Sequence, residues 1–303
     1  MLAWVPLEPV AAGLAGLDGV RVELVDPDRQ SLPASANEVE FYVPPFFPRS
    51  AAVAALAQLP NLKVVQTMTA GIDLLRPHIP AGAVLCNARG VHDASTAEWV
   101  VAAVLASVRQ FPYFAAEQAA RHWSFRFTGC LAGMTVLIVG YGSIGAAVER
   151  RLSGFEVTVL RVARTARDGV RPVADIPELL PQADVVILLA PVTAATIGMA
   201  DADFLARMKD GALIVNAARG SLLVTEALCA ELRAGRLRAA MDVTDPEPLE
   251  PGHPLWTLPN VLITPHVAAS TPVSAKTAVS FVREQVQRFI AGQPLRNMIT
   301  GEY

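Results

Sequence analysis

The chain has 303 residues, more than one ordinary hydrophobic core organises, and this length predicts two domains. Its residues are 52% hydrophobic and form no low-complexity tract, which excludes a disordered or fibrous protein and indicates a compact soluble one. The formal net charge of −3 excludes the strong positive field that attracts nucleic acids or anionic membranes. We therefore expect neither a nucleic acid nor a membrane as a partner.

The cysteines and the amino-terminal segment indicate a reducing compartment. Cys86, Cys130 and Cys229 are odd in number and far apart, so they predict neither a disulfide framework nor a metal site. The first residues lack the basic region of a secretory signal. The longest apolar run, 99–108, is far shorter than a membrane span. The expected location is the cytoplasm.

Short apolar runs alternate with helical patterns along nearly the whole chain, which indicates parallel α/β architecture. A first set of predicted strands precedes residue 90, with a helical pattern at 50–59; its members cover residues 2–5, 20–25, 39–43, 62–66 and 83–86. A second set is more continuously hydrophobic, as expected for strands covered on both faces. Its members cover residues 135–140, 157–160, 184–190, 212–217, 239–243 and 261–264.

Two long helical patterns connect the two sets of strands. One runs from about Thr96 to about Ala120, with Ser95 or Thr96 as the expected cap, and the other covers about 271–291. Too few residues follow the second helix to form a domain, so we expect the chain to return to the first domain. The predicted domains, with the ligand site in the cleft between them, are 1–97 with 280–303 and, inserted between these, 98–279.

A glycine-rich turn, GYGSIG, follows the first strand of the second set and opens a helical pattern. Gly140 permits the tight turn, Gly142 lets the backbone approach a pyrophosphate, and Gly145 lets the helix pack closely on the strand. The N–H groups at Ser143 and Ile144, where the helix begins, would then face the phosphates. The turn predicts dinucleotide binding, and a tight turn of an unrelated fold, such as a methyltransferase, is the alternative.

Three further segments follow strands of the second set, and each carries one residue suited to the reduction of a keto acid. Arg219 lies in NAARGSLL, Glu247 in DVTDPEPL and His266 in TPHVA. Ligands of open α/β sheets bind beyond the carboxyl ends of the strands, so the three side chains are expected to share one cleft. Arginine binds a carboxylate in bidentate fashion. Histidine donates a proton near neutral pH, and a neighbouring carboxylate orients it.

Taken singly, each of these three residues has an ordinary explanation. Arg219 could be a solvated surface residue, Glu247 an exposed acid of a proline-rich loop, and His266 a packed histidine of a turn. The prediction depends on all three standing at strand ends in one ordered frame. The remaining histidines have no comparable setting and are predicted to lie in loops or on the surface: His78, His92, His122 and His253.

Several longer motifs recur in one known family. GYGSIG, PVTAAT, NAARG, DVTDPEPL and HPLWTLPNVLITPH resemble the D-isomer-specific 2-hydroxyacid dehydrogenases, including glyoxylate and hydroxypyruvate reductases. NLKVVQTMTAGID at 61–73 resembles the substrate loop of that family, and NARGVHDASTAE at 87–98 resembles the segment that leads into its interdomain helix. The resemblance runs from about residue 60 to 290.

The resemblance implies an α/β fold of two doubly wound parallel-sheet domains, a Rossmann cofactor domain inserted in a flavodoxin-like substrate domain, and a homodimer. It implies that Arg219 binds the substrate, a small 2-keto or 2-hydroxy acid. His266 would be the general acid/base, and Glu247 would tune it. Backbone N–H groups of Ala70 and Gly71 would hold the substrate carboxylate.

The resemblance also implies further cofactor contacts. Asp242 matches the acid near the nicotinamide amide, and Pro191, Thr196 and Ala217 belong to matching motifs that line the cofactor site. Two positions depart from the family pattern without removing a catalytic group. Arg89 stands where a proline is common, and we expect it at the surface; Cys130 stands where a charged residue is common.

The segment VARTAR differs from an NAD site at the position that selects the cofactor. Counted from Gly145, the acid that usually holds the ribose hydroxyls of NAD falls on Ala163, and Arg164 and Thr165 follow. A guanidinium and a hydroxyl suit a 2′-phosphate. The sequence therefore predicts NADP(H) as the preferred cofactor, with NAD(H) possible and solvated loop arginines as the alternative; Arg161, inside the strand, is expected to contribute less.

Two other functions remain open at this point. One is an NAD(H)-sensing binding protein on the same scaffold, such as the corepressors of this family, and the other is a dehydrogenase of formate or phosphite. No extra peptide-binding segment outside the two domains favours the corepressor. The sequence does not identify the keto acid.

Overall fold

A computed structural model describes residues 1–301, and its strands form two parallel sheets. Residues 2–86 supply the first sheet, whose strands are β1 Leu2–Val5, β2 Arg21–Leu24, β3 Val39–Tyr42, β4 Val64–Gln66 and β5 Val84–Cys86. Residues 135–263 supply the second sheet, whose strands are β6 Thr135–Val139, β7 Thr158–Ala163, β8 Arg171–Pro172, β9 Val185–Leu188, β10 Leu213–Asn216, β11 Arg238–Met241 and β12 Val261–Ile263. This arrangement confirms the predicted α/β class.

Helices connect these strands. In chain order they are α1 Glu8–Leu14, α2 Ser50–Ala55, α3 Asp93–Val108, α4 Phe111–Ala119, α5 Ser143–Leu152, α6 Ile176–Leu179, α7 Ala202–Arg207, α8 Thr225–Arg233 and α9 Pro272–Ile290. The short strand β8 has no counterpart among the sequence predictions, because two residues carry no periodicity.

The chain divides into two compact units, one inserted in the other. Unit 1 is Met1–His92 with the chain from Pro272 onward, and unit 2 is Asp93–Thr271. The predicted boundaries at 97/98 and 279/280 lie inside α3 and α9. The units instead change at Asp93 and Pro272, the first residues of those helices.

The sheet of unit 1 has the strand order β2-β1-β3-β4-β5. This is the doubly wound flavodoxin order, in which the direction of winding reverses between β1 and β3. Side chains alternate along β1, so that Ala3 and Val5 pack on one side while Leu2 and Trp4 pack on the other. Both faces of this sheet are therefore covered, as the predicted fold requires.

The sheet of unit 2 has the order β12-β11-β10-β9-β6-β7-β8. Its first strand, β6, lies between β9 and β7, which is the Rossmann order with one strand added at the end. Along β6, Leu137 and Val139 join one hydrophobic cluster, and Val136 and Ile138 join another on the opposite face. The winding reverses between β6 and β9, so the crevice beyond the ends of these strands is the expected nucleotide site.

The prediction of one long helix from Thr96 to Ala120 is wrong, because the helix is interrupted between α3 and α4. Gln110 adopts a left-handed conformation with φ 55°, and Pro112 in the first turn of α4 has no N–H to continue the helix. The first helix also begins earlier than predicted, at Asp93, so Thr96 is a buried residue within it and not its cap. In the sequence the apolar run ends at Val108, and the polar pair Arg109 and Gln110 together with Pro112 marks the break.

Within residues 1–301 no single helix is long and apolar enough to cross a membrane. Within this range, only α3 and α4 taken together are long and apolar enough to span a membrane. Their axes, however, differ in direction by 66°. Val100, Val104 and Val108 of α3 are buried within unit 2. The apolar side of this helix is therefore part of the protein's own core.

Candidate active site

Arg219 follows β10 in a loop that one buried residue holds. The side-chain amide of Asn216, the last residue of β10, donates to the Arg219 carbonyl at 2.8 Å, and its oxygen accepts from the N–H of Ala218 at 3.1 Å. The Asn216 side chain is fully buried. The Arg219 guanidinium donates to the Ala218 carbonyl at 2.9 Å, and the arginine is half-buried. Asn216 thus fixes the backbone from which the arginine projects.

Gly220 permits the Arg219 loop to lie directly on the segment that leads to Glu247. A Cβ atom at this position would lie 2.0 Å from the Thr244 oxygen and 2.1 Å from the Thr244 carbonyl carbon. These are backbone atoms, so they cannot move aside as a flexible side chain could. Glycine is therefore required next to the arginine, and the sequence analysis did not assign it this role.

Glu247 and His266 are hydrogen-bonded to each other. The Nδ1 atom of His266 lies 2.6 Å from Oε1 of Glu247, and their side chains are 28% and 41% exposed. A carboxylate only accepts hydrogen bonds, so Nδ1 donates and Nε2 is the nitrogen turned away from the glutamate. The pair has the geometry of an oriented general acid/base.

His266 stands in a strained backbone conformation. Its φ is 55°, in the left-handed region that residues other than glycine rarely adopt. The backbone N–H of His266 donates to the carbonyl of Asp242 at 2.7 Å. Strain of this kind persists where the surroundings impose it, and it is frequent at functional sites.

Asp242 is a buried carboxylate, 2% exposed, at the end of β11. Its Oδ1 accepts from Thr264 Oγ1 at 2.6 Å and from the N–H of Val267 at 2.9 Å. Its Oδ2 accepts from the N–H of Ala268 at 2.8 Å. The residue that resemblance places near the nicotinamide therefore also binds the segment that carries His266. The pattern DVTDPEPL contains no signal for this second contact.

The glycine-rich turn connects β6 to α5. Gly140 has φ 101°, and a Cβ there would lie 2.3 Å from the backbone nitrogen of Ala190. A Cβ at Gly145 would lie 3.0 Å from the Gly140 oxygen, so only glycine lets α5 pack this closely on the turn. A Cβ at Gly142 would meet no atom within 4 Å. The turn thus leaves open space at the position where a pyrophosphate would approach.

The start of α5 contains Ser143 and Ile144, which the sequence analysis placed at the phosphates. Both are half-buried, and Ser143 Oγ donates to Oδ1 of Asp93 at 3.0 Å. α5 begins at Ser143, so the N–H groups of its first turn point out of the helix toward the opening at Gly142. These residues fit a dinucleotide phosphate.

The cofactor-selecting segment begins at the end of β7, whose last residue is Ala163. Arg164 and Thr165 follow at once and are exposed. Arg167 donates to the carbonyl of Tyr141, inside the glycine-rich turn, at 2.6 Å. The arginine-rich loop therefore lies beside the turn, and no carboxylate occupies the end of β7.

Arg161 differs from the other arginines of this segment because Glu149 of α5 neutralises it. Its Nε donates to Oε2 of Glu149 at 2.8 Å, and Nη2 donates to Oε1. The Tyr141 hydroxyl also donates to Glu149. The Arg161 guanidinium holds the pKa of Glu149 below its ordinary value, chiefly through these hydrogen bonds.

The loop after β9 carries Pro191 and Thr196. The Thr196 hydroxyl donates to the Pro191 carbonyl at 2.7 Å and accepts from the N–H of Thr193 at 2.8 Å, so it closes the loop on itself. Ala217 follows the next strand, directly after Asn216. These residues stand at the same edge of the sheet as the glycine-rich turn, because all strands of unit 2 run parallel.

Ala70 and Gly71 lie in unit 1, in the loop after β4. The Ala70 carbonyl accepts from the Asn87 side chain at 3.0 Å, and the Gly71 carbonyl accepts from Thr69 Oγ1 at 2.9 Å. The Thr69 carbonyl accepts from Thr67 Oγ1 at 2.7 Å. Internal hydrogen bonds therefore fix the orientation of the peptide groups in this loop.

His92 lies in the loop directly before α3, as predicted for the remaining histidines, but it is buried. It is 6% exposed, and its Nε2 lies 2.6 Å from the Met68 carbonyl oxygen, within unit 1. His78 and His122 are exposed, and His253 is half-buried and accepts from the N–H of Leu255 at 3.2 Å. A buried histidine with a carbonyl partner has no distinct pattern in the sequence, so the burial of His92 was not predictable.

The order of the strands separates two functions along one sheet edge. The arginine-rich loop follows β7 and the glycine-rich turn follows β6, whereas the segments of Arg219, Glu247 and His266 follow β10, β11 and β12. β7 and β10 are three strand spacings apart, which is about 14 Å. A dinucleotide-binding domain with an acid–base pair at one end is the class of protein that this arrangement defines.

Comparison with known proteins gives the family. Residues 101–268 match the family model described as D-isomer specific 2-hydroxyacid dehydrogenase, NAD binding domain. The chain belongs to this family of NAD(P)-dependent dehydrogenases, which the sequence analysis had suggested from its motifs.

Individual relatives agree with that membership. The chain is 34% identical over 250 residues to a D-3-phosphoglycerate dehydrogenase of Archaeoglobus fulgidus, an alignment that covers 79% of this chain and 47% of the relative. The chain thus spans about half the length of the curated phosphoglycerate dehydrogenases that it matches.

Two solved structures cover nearly the whole chain. A D-isomer specific 2-hydroxyacid dehydrogenase of Xanthobacter autotrophicus, in complex with NADPH and MES, is 28% identical with a TM-score of 0.86 and coverage of 99% and 97%. An NADPH-dependent glyoxylate/hydroxypyruvate reductase of Sinorhizobium meliloti, in complex with NADP and sulfate, is 28% identical with a TM-score of 0.85 and coverage of 98% of each chain.

Proposed function

We propose that the protein is a reductase that transfers a hydride from NADPH to a small 2-keto acid and yields the D-2-hydroxy acid. The observation that carries this proposal is the 2.6 Å hydrogen bond between His266 and Glu247 in the same unit as Arg219, at the ends of three adjacent strands. Family membership supports the type of reaction.

The side chains have separate tasks in this reaction. Arg219 would bind the substrate carboxylate, because its planar guanidinium offers two parallel N–H groups. The N–H groups of Ala70 and Gly71 are proposed to bind a substrate carboxylate, as the family resemblance implies. The bound nicotinamide supplies the hydride.

His266 is proposed to supply the proton of the reaction. As the carbonyl oxygen of the substrate gains negative charge, His266 Nε2 would donate a proton to it. Glu247 keeps the ring in place through its hydrogen bond to Nδ1. Reduction therefore needs the protonated histidine, and oxidation of the hydroxy acid needs the neutral one.

His266→Ala tests this assignment. We expect kcat to fall by about 10²-fold or more, the usual scale for a lost general acid/base. His78→Ala is the matched control, since His78 is exposed in unit 1, and it should leave turnover unchanged. Near-normal turnover by His266→Ala would exclude the histidine as the acid.

The substrate is proposed to be a short keto acid, and a panel identifies it. Glyoxylate and hydroxypyruvate enter the panel because a structural relative is named as their reductase. D-3-phosphoglycerate, a hydroxy acid, is tested in the oxidative direction with NADP+ and NAD+, because a sequence relative is a dehydrogenase of that compound. Pyruvate and larger keto acids complete the panel. Failure of every acid with both cofactors would overturn the proposed activity.

The stereochemistry follows from the family. Reduction of a prochiral keto acid such as pyruvate is expected to give the D-hydroxy acid, which chiral chromatography resolves. Mainly L-product would contradict the proposal while leaving the role of the histidine intact.

NADPH is the proposed cofactor, because Ala163 replaces the usual acid and Arg164 and Thr165 follow. Charge-assisted hydrogen bonds of about 1.5–3 kcal/mol each make a preference over NADH of at least about tenfold, roughly 1.4 kcal/mol, attainable. The double variant Ala163→Asp, Arg164→Ala should reverse the ratio of kcat/KM values while kcat at saturating cofactor changes little. An equal or better kcat/KM of the wild type with NADH would refute the preference.

A homodimer is proposed from the surface that follows α3. Four large aromatic side chains in this part of unit 2 are mostly exposed: Phe111 at 58%, Trp123 at 97%, Phe125 at 80% and Phe127 at 90%. So much exposed aromatic surface is typical of a protein interface. Light scattering at micromolar concentration is expected to give twice the chain mass, and Trp123→Ser with Phe127→Ser should lower it. A wild-type mass of one chain would contradict the dimer.

The other functions considered from the sequence receive no support from the relatives reported above, which are dehydrogenases and reductases. A corepressor would bind NAD(H) without turnover, and a formate or phosphite dehydrogenase would reduce NAD+ or NADP+ when formate or phosphite is added. The cytoplasmic location stays a prediction from composition.

A further inference from the structure

The segment Thr264–Ala268 contains His266. It donates hydrogen bonds to Asp242 from residues on both sides of the histidine. The Asp242 carboxylate accepts from the Thr264 hydroxyl before the histidine, and from the N–H groups of Val267 and Ala268 after it. The Asp242 carbonyl accepts from the N–H of His266 itself. One buried residue therefore fixes the whole segment.

The backbone of His266 gains from such support, and its N–H also lies 3.1 Å from the Thr264 carbonyl oxygen within the same segment. Its left-handed φ of 55° is unfavourable for a residue with a side chain. Its ring and the Glu247 carboxylate are 28% and 41% exposed, so packing alone does not immobilise them. Asp242 is 2% exposed, and hydrogen bonds to a buried carboxylate are short and strong. The rigid member of this group is thus the aspartate.

We propose that Asp242 is a positioning residue for His266 and acts through Thr264, Val267 and Ala268. This inference rests on the proposed function, in which His266 is the general acid. A proton donor must be held within about 0.5 Å of its productive position, so a loosened segment lowers the rate even though every reacting group is present. The role is separate from any contact of Asp242 with the cofactor.

The two roles of Asp242 can be separated by its oxygens. A carboxylate oxygen has two lone pairs. Oδ1 accepts two hydrogen bonds and Oδ2 accepts one, so Oδ2 has a lone pair left that would suit the nicotinamide amide. Thr264 touches Oδ1 alone, and a change there loosens the segment without removing the remaining acceptor.

Thr264→Val is therefore the informative variant, with glyoxylate as the first probe and the best acid of the panel as the second. We expect kcat to fall about tenfold, roughly 1.4 kcal/mol in the barrier. The KM for the keto acid and the Kd for NADPH, measured by fluorescence without substrate, should stay within about twofold, because neither binding site loses a group. Thr264→Ser should restore kcat, since it restores the hydroxyl.

Two further variants complete the experiment. Asp242→Asn places an NH2 group among N–H and O–H donors and should lower kcat more than Thr264→Val does. It should also expose the amides of Val267 and Ala268 to faster hydrogen exchange, a readout that needs no substrate. Thr277→Val is the matched control, because that hydroxyl donates only to the Val273 carbonyl of its own helix.

The outcomes distinguish this inference from the proposed function. Wild-type kcat in Thr264→Val, with His266→Ala inactive, overturns the positioning role alone. A loss of NADPH affinity equal to the loss of kcat also overturns it, because Asp242 would then act through the cofactor. Normal turnover by His266→Ala overturns the proposed function itself. Unchanged amide exchange in Asp242→Asn would contradict the inference even if no acid of the panel is reduced.

Discussion

Gly142→Ala separates cofactor binding from folding, because the structure predicts a large effect on the first and a small effect on the second. Gly142 has φ −97° and ψ −151°, an extended conformation that alanine can adopt. A Cβ atom at this position meets no protein atom within 4 Å. The added methyl group therefore occupies only the space in which a pyrophosphate would approach the turn.

The expected effect on stability is small. Alanine caps a helix less well than glycine by about 0.5–1 kcal/mol. Alanine also lowers the entropy of the unfolded chain, which is worth about 0.4–1 kcal/mol in the opposite direction. The Tm without cofactor should thus change by no more than about 4 °C, since about 1 kcal/mol shifts a domain of this size by 2–4 °C.

The expected effect on NADPH is large. Loss of close backbone approach should raise the Kd at least about tenfold, roughly 1.4 kcal/mol, as measured by calorimetric titration. Gly154→Ala is the matched control, because a Cβ there also meets nothing within 4 Å but lies beyond the opposite end of α5. An unchanged Kd in a folded Gly142→Ala protein would show that this turn does not bind the pyrophosphate.

Three further variants test the supports of the site. Gly220→Ala forces a Cβ to within 2.1 Å of Thr244 backbone atoms, so we expect a lower Tm and a loss of kcat/KM of at least about tenfold, and a native Tm would contradict the contact. Arg219→Lys loses the paired N–H groups, so kcat/KM should fall while the Kd for NADPH holds. The depressed pKa of Glu149 means that its pairing with Arg161 stabilises the fold above about pH 4.5 and that this contribution is lost as pH falls through the folded pKa. Urea titrations should therefore show Glu149→Gln less stable than wild type at pH 7, with the difference shrinking toward pH 3, and a difference independent of pH would refute this.

Much of the fold was predictable from the sequence, because the periodicity and hydrophobicity of its segments determine the helices and strands. The strands of both sheets are buried runs between turn signals, and their alternation with helical patterns allows few architectures. The prediction missed the break at Gln110, because two polar residues are common inside helices and a left-handed glutamine has no pattern of its own. The strand β8 was missed because two residues cannot show a period.

The sequence pointed to the three side chains with proposed roles in the reaction. It did not point to the residues whose contacts hold their segments in place. Arg219, Glu247 and His266 follow strands that are consecutive in the chain and also adjacent in the sheet, β10, β11 and β12. The rule that ligands bind beyond the carboxyl ends of strands is then enough to bring the three segments to one edge. The sequence pattern does not indicate which backbone atoms of these segments will be in contact.

Gly220 and Asp242, which hold the site together, lie close in sequence to the residues with proposed roles. Each of them, however, contacts a different segment of the chain. Gly220 follows Arg219 and is required by the backbone of Thr244, and Asp242 precedes Glu247 and holds the segment of His266. Each support therefore joins the segment that contains it to the next one along the sheet edge. A reaction that needs three groups in fixed positions needs these two contacts as well. The candidate site at this edge thus extends from Asn216 to Ala268, and the proposed reaction depends also on residues that take no part in it chemically.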